Sequence, residues 1–378
     1  MNIGFFIGEM NFRGVSNSTY QYAYFNQIFL KNNSIIFFNK LEKFHKKEVI
    51  DKFKKKFKVI GVNGFKEVDK YIERLNLKYI YVQKGGQRDH NVSNKLKTLV
   101  HSLYPQNLKE VHGFKYSCVS EWQSSKFTNN KIPFVPYIVS LNKTKSDLKK
   151  SLKIKKENIV YGCHGGESSF DLKFVHQTLE DIVKKRNDIF FLFLNIKKFC
   201  NHPRIIFLKG SFDEVYKKKF INTCDAMIYG RSLGESFGLA CAEFSNQGKK
   251  LITYKFNRHK SHINKLPKNN YEEYSSRKSL FNILTNYQKN KSNKLFSKNK
   301  YLSYTPKKVM KIFNKVFLKN HHDVKLNFFD YLINQMNFLI TYYRYIRHKI
   351  YINYYRIYES KFIYHKDWIN KKKEIRST

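Results

Sequence analysis

Residues 225–254 pass from an apolar stretch into a loop punctuated by Gly230, Gly234 and Gly238. An apolar helical stretch follows, and then a second short apolar run. The pattern predicts strands over Asp225–Tyr229 and Leu251–Tyr254, with a helix over Phe237–Gln247 stopped by Gly248. Two neighbouring strands joined through a helix lie parallel, because a parallel pair needs a long crossover connection. The chain is thereby committed to an α/β architecture with helices packed on a parallel sheet.

The same loop carries chemistry. A loop that opens a helix just beyond a strand end presents free backbone N–H groups and a positive helix terminus over a crevice, which suits phosphate. Glu235 in the loop and Glu243 on the helix place two carboxylates on either side of that phosphate, where they can hold neutral hydroxyls. A nucleotide sugar, with its hexose, diphosphate and ribose, has this shape.

Alternating strands and helices fill the rest of the first 270 residues. Strands are predicted at Ile3–Ile7, Ser34–Phe38, Phe57–Val62, Tyr79–Gln83, Lys97–Val100 and Tyr116–Val119, with helices at Tyr20–Leu30 and Val68–Leu75. Pro133 and Pro136 mark an extended linker. The alternation then restarts at Ile159–Gly162 and continues through a helix at Phe174–Lys185 and strands at Ile189–Leu194 and Ile205–Leu208. We therefore expect a doubly wound half over residues 1–138, a second over 139–270, a helical closing segment over 271–318 and a basic, tyrosine-rich tail over 319–378. A single large sheet is the alternative, and the restart argues against it.

A chain of 378 residues is long enough for two such cores, and 42% hydrophobic and 17% aromatic residues exclude a disordered protein. The net charge of +43 suggests nucleic acid. The lysines, however, are spread along the whole chain, and no zinc finger, RNP motif or KH loop accompanies them, so no specific nucleic acid is expected. A generally basic surface still attracts sugar nucleotides and acidic membrane leaflets. Cys118, Cys163, Cys200, Cys224 and Cys241 are scattered and never form a C-x-x-C pair. That excludes a zinc framework by spacing and points to a reducing, cytoplasmic setting. The N-terminal run Met1–Glu9 reads as a first strand rather than a signal peptide.

Gly234-Glu235-Ser236-Phe237-Gly238-Leu239-Ala240-x-Ala242-Glu243-Phe244, set between two apolar strands, resembles the E-x7-E motif of retaining glycosyltransferases of family 4. The resemblance implies the GT-B fold, in which two Rossmann-like domains face a cleft, the first on the acceptor side and the second binding the nucleotide sugar. It implies transfer of a sugar from a nucleotide-diphosphate donor to a hydroxyl of a glycan or lipid-linked glycan, with retention. It also implies no metal, in keeping with the lack of a D-x-D sequence. Carried over residue by residue, Glu235 orients the sugar, Glu243 holds the ribose, and the backbone around Ser236, Phe237, Gly238 and Leu239 receives the diphosphate. The alternatives are an epimerase or phosphorylase of the same fold, or a basic nucleic-acid-binding protein.

Three further groups enter. Arg13-Gly14-Val15 follows the first strand and forms a candidate acceptor or phosphate loop, although a simple tight turn has the same sequence. His101 follows the strand at 97–100, where a side chain enters the ligand crevice of an α/β enzyme, and the resembled family often carries a His there. His164-Gly165-Gly166 closes the first strand of the second half. The family usually has an Arg after this glycine and a Lys shortly beyond, both binding diphosphate. Here the nearby cations are His164 and Lys173, and Arg231 is the candidate for the missing guanidinium. The tail, with Tyr342, Tyr343, Tyr345, Arg344, Arg347 and Lys349, either makes peripheral contact with an anionic membrane or packs back as helices across the two domains.

Overall fold

The computed structural model describes residues 1–141, 144–289, 299–319 and 324–375, with the side chains of the last helix up to residue 354. Six parallel strands form the first sheet: β1 (Asn2–Ile7), β2 (Asn33–Asn39), β3 (Lys58–Val62), β4 (Leu77–Lys84), β5 (Lys97–Ser102) and β6 (Lys115–Cys118). They lie in the order β3-β2-β1-β4-β5-β6. The second sheet uses β7 (Ile159–His164), β8 (Ile189–Leu194), β9 (Ile205–Leu208) and β10 (Ala226–Tyr229). After a two-residue β11 (Gly234–Glu235) come β12 (Lys250–Tyr254), β13 (His259–Lys260) and β14 (Tyr271–Tyr274). β11 pairs with β13 alone, and the six long strands are ordered β14-β12-β10-β7-β8-β9.

Counted from its own first strand, each half has the same order, 3-2-1-4-5-6. Strand order therefore reverses between β1 and β4 in one half and between β7 and β10 in the other. Ligands of open α/β sheets bind outside the carboxyl ends of the strands at such reversals. The topology alone thus marks the loops after β1, β4, β7 and β10.

Covering the sheets are α1 (Gly14–Leu30), α2 (Lys47–Lys54), α3 (Glu121–Thr128), α4 (Lys173–Lys185), α5 (Glu214–Thr223), α6 (Leu239–Asn246), α7 (Ser261–Asn264), α8 (Arg277–Thr285), α9 (Pro306–Phe313) and α10 (Phe328–Ile375). Central strands are apolar on both faces because helices cover both: Phe191, Leu192 and Phe193 of β8 are successive and fully buried. Each such side chain contributes roughly 1.5–3 kcal/mol of burial. Ser120 caps α3 by accepting from the Gln123 N–H.

Several expected elements differ. Tyr271–Tyr274, expected within the helical closing segment, is instead the edge strand β14, paired in register with β12. Its Tyr-Glu-Glu-Tyr sequence lacks an apolar run because an edge strand exposes one side. Val68–Leu75 is not an α-helix; a tight 3-10 turn at Phe65–Tyr71 stands there. The helix predicted from Phe237 begins at Leu239, since Gly238 turns into the left-handed region with φ 85°. A Cβ at Gly238 would come 2.6 Å from His262 Cβ.

The chain ends by crossing the molecule. Phe313 of α9 and the following Phe317 pack on the first half, against Tyr22 and Tyr81. α10 then runs as one helix, not the expected pair. Asn334 donates to Phe127 O at 2.7 Å in the first half, while His348 Nδ1 lies 3.2 Å from the Tyr254 hydroxyl in the second. Tail residues Arg356, Lys361 and Lys366 lie beyond the described side chains.

Candidate active site

The two reversals face each other across a cleft of about 360 Å³. Phe12, Arg13, Gly14 and Val15 line it from the loop after β1, and His164, Gly165 and Gly166 from the loop after β7. Arg231, Glu235, Ser236, Phe237, Gly238, Leu239 and Glu243 line it from the segment after β10. The structure thus brings together thirteen of the fifteen site residues expected from sequence; His101 and Lys173 are the exceptions.

Glu243 sits on the inner face of α6 and is 2% exposed. Lys217 of α5 donates to its Oε1 at 2.6 Å, and His164 Nε2 lies 3.0 Å from its Oε2. The histidine nitrogen and the carboxylate oxygen are both buried, each facing the other. Burial works against ionisation of Glu243, but Lys217 and then His164 outweigh it and hold the carboxyl below its usual range. Lys217 was not expected from sequence; it lies in the run Lys217-Lys218-Lys219, where nothing singles out one lysine.

Glu235 lies on β11, whose partner β13 fixes it in register with Lys260. Gly234 precedes it with φ 73°, and a Cβ there would fall 2.0 Å from His259 O, so only glycine fits this turn. Glu235 Oε1 accepts from the Tyr229 hydroxyl at 2.7 Å and from Arg231 Nη1 at 2.9 Å. Burial disfavours the Arg231 cation, yet Glu235 and Tyr229 more than compensate and raise its pKa. The guanidinium expected at the diphosphate is therefore engaged by the carboxylate beside it. Ser236 is buried, and its hydroxyl has no partner among the described residues.

Arg13 stands apart. The Arg13 N–H donates to Asn11 Oδ1, Asn11 N–H donates to Ser16 Oγ, and Asn11 Nδ2 donates to Glu9, which together shape the loop. Its side chain crosses to the opposite half, where a Cβ on Gly166 would lie 3.7 Å from Arg13 Cγ and Nε. Among the described lysines and arginines lining the cleft, Arg13 alone has no ion pair; Lys217 holds Glu243 and Arg231 holds Glu235.

His101 does not reach the cleft. β5 extends two residues beyond the predicted end, and His101 shares the inward face of Leu99. It is fully buried, with Nδ1 2.6 Å from the Tyr81 hydroxyl and its ring against Tyr137 and Phe317. Burial lowers its pKa to about 3, so it stays neutral. The cleft wall in front of it is Tyr137, whose ring meets Phe237 of the other half at 5.0 Å. Lys173 begins α4 and is exposed, away from the cleft.

No family model matches the sequence, and no curated protein matches it. Solved structures do. The chain is similar to a glycosyltransferase from Rickettsia africae ESF-5, at 14% identity with a TM-score of 0.56 over 91% of this chain and 98% of that one. It is similar to Anabaena Alr3699/HepE, solved in complex with UDP and glucose, at 13% identity and TM-score 0.56 over 89% and 98%. A putative UDP-N-acetylglucosamine 2-epimerase from Listeria monocytogenes aligns at 10% identity and TM-score 0.52 over 80% and 95%. At these identities the likeness is one of fold: two parallel six-stranded sheets facing a cleft, the GT-B architecture.

Proposed function

We propose that this chain transfers a sugar from a nucleotide-diphosphate donor to an acceptor hydroxyl of a glycan or lipid-linked glycan, with retention at the anomeric carbon and without a metal. The observation that carries this is the convergence of Glu235, Glu243 and Arg13, which has no ion pair among the described residues, on one cleft built at both topological reversals. The likeness to HepE, solved with UDP and glucose, supports a donor of this class.

In this scheme Glu243, held ionised by Lys217, takes the ribose hydroxyls. Glu235, fixed by Arg231 and Tyr229, orients the hexose. The departing diphosphate is stabilised by N–H groups around Ser236–Leu239 and by Arg13 reaching from the other half. The acceptor oxygen approaches from the face the diphosphate leaves, and closure of the cleft keeps water out.

A donor screen by thermal shift is the first test, since a ligand at a hundred times its Kd stabilises by about 2.7 kcal/mol. No stabilisation by any nucleoside diphosphate sugar sinks the proposal. The likeness to the Listeria structure supports a second reading, epimerisation of the donor. Incubating a stabilising donor alone separates the two: an altered sugar nucleotide without acceptor means epimerase, and a new glycoside only with acceptor means transferase. EDTA should leave the transfer intact.

A further inference from the structure

Helix α10 keeps a long apolar face turned away from the protein. Its inward side is covered by the two halves: Asp330, Asn334 and Thr341 are at most 2% exposed, Phe338 packs on Phe127, and Tyr351 and Ile352 pack against the core. Asp330 accepts from Asn129 Nδ2 at 3.1 Å, Asn334 donates to Phe127 O and Gln106 O, and His348 meets the Tyr254 hydroxyl. The outward side carries Leu332, Met336, Leu339, Tyr343, Ile346 and Ile350, which are 39–66% exposed. Steps of four and three residues keep these six on one face. They form a strip roughly 27 Å long at 1.5 Å per residue. Scattered exposed apolar residues need no explanation, but a continuous strip marks an interaction surface.

We propose that this face docks on an anionic lipid surface, with the helix lying in the headgroup plane. No helix among the described residues is long and apolar enough to cross a membrane, so the helix lies on the bilayer rather than through it. Charge selects lipid over a second copy of the chain. Residues 331–358 contain no Asp or Glu. Arg347 and Lys349 flank the strip, Arg347 over the Phe256 ring and Lys349 over the Tyr345 ring. In a helix pair between two copies these flanking cations would face each other, on chains that each carry +43. On an anionic bilayer the same cations meet phosphates while the apolar strip enters the acyl boundary and Tyr343 stays at its edge. The inference does not depend on the chemistry proposed for the cleft.

The test uses the full chain and sedimentable vesicles, either phosphatidylcholine alone or phosphatidylcholine mixed with phosphatidylglycerol. The wild type should pellet with the mixed vesicles. The variant Leu332→Glu/Leu339→Glu/Ile346→Glu should partition about tenfold less or weaker still, with an unchanged circular-dichroism spectrum and melting temperature. Arg347→Glu/Lys349→Glu should lose binding chiefly at low salt. Wild type remaining in the supernatant overturns the proposal. So does equal binding by the triple variant, which would trace vesicle binding to the general charge. Sedimentation equilibrium supplies the remaining outcome: self-association abolished by the triple variant, without vesicle binding, would assign the strip to a second copy and overturn it too.

Discussion

Lys217 of α5 holds Glu243 of α6 through a 2.6 Å contact, in a place where the carboxylate is almost wholly buried. A buried charge stripped of its partner is expensive, about 3–5 kcal/mol, whereas an apolar pair of similar volume is tolerated. Lys217→Ala is therefore expected to destabilise the fold by that order and to weaken donor binding. Lys217→Met/Glu243→Leu should regain most of the stability but not the affinity. Urea unfolding and calorimetry with donor check both; full donor affinity in the double variant removes Glu243 from the site. Because the Glu243 carboxyl is held below its unfolded value, its stabilising share is present above that value and is lost as pH falls through the folded one.

Glu235→Gln keeps the shape of the side chain but removes the charge that Arg231 and Tyr229 orient. We expect kcat to fall by about a hundredfold with little change in donor Kd. Steady-state kinetics against donor calorimetry decide it, and activity within a few-fold of wild type would make Glu235 structural.

Arg13→Ala should cost about tenfold or more in affinity for a nucleoside diphosphate, the range for a charge-assisted hydrogen bond, and nothing for the nucleoside alone. An equal loss for both ligands would mean that Arg13 shapes the loop rather than meeting phosphate.

Three buried histidines, His101, His259 and His262, are each held near a pKa of about 3, chiefly by burial. The unfolded chain takes up their protons near 6.5, so between about 3 and 6.5 it binds more protons than the native state, and stability rises with pH. Lowering the pH from 6.5 to 5 should cost about 1.6 kcal/mol per histidine. Urea midpoints at pH 7.5, 6 and 5 measure the slope. His101→Gln should reduce it by one histidine's share and leave donor affinity unchanged. A flat profile would contradict the buried neutral state.

Most of the fold was legible because its signals are local. Strand β8 and strand β9 were predicted to the residue, since an apolar run bounded by polar turns has one sensible reading. The E-x7-E segment was legible because its glycines are demanded by backbone geometry, as at Gly234 and Gly238. What escaped is tertiary. β14 is polar because it is an edge. Lys217 is one lysine in a run of three. His101 lies on the inward side of a strand whose end the sequence misplaced by two residues, and that shift decides between crevice and core. Arg231 was visible as a cation, but its pairing with Glu235 was not.

The helix α10 also has a mechanical meaning. It is fastened near Asn334 to one half and near His348 to the other, with an unbroken rod of roughly 21 Å between those points at 1.5 Å per residue. A stiff rod tied at both ends fixes their separation, so the two halves cannot simply slide apart. Drawing the halves apart along the helix would therefore have to break one of these two attachments or the helix itself.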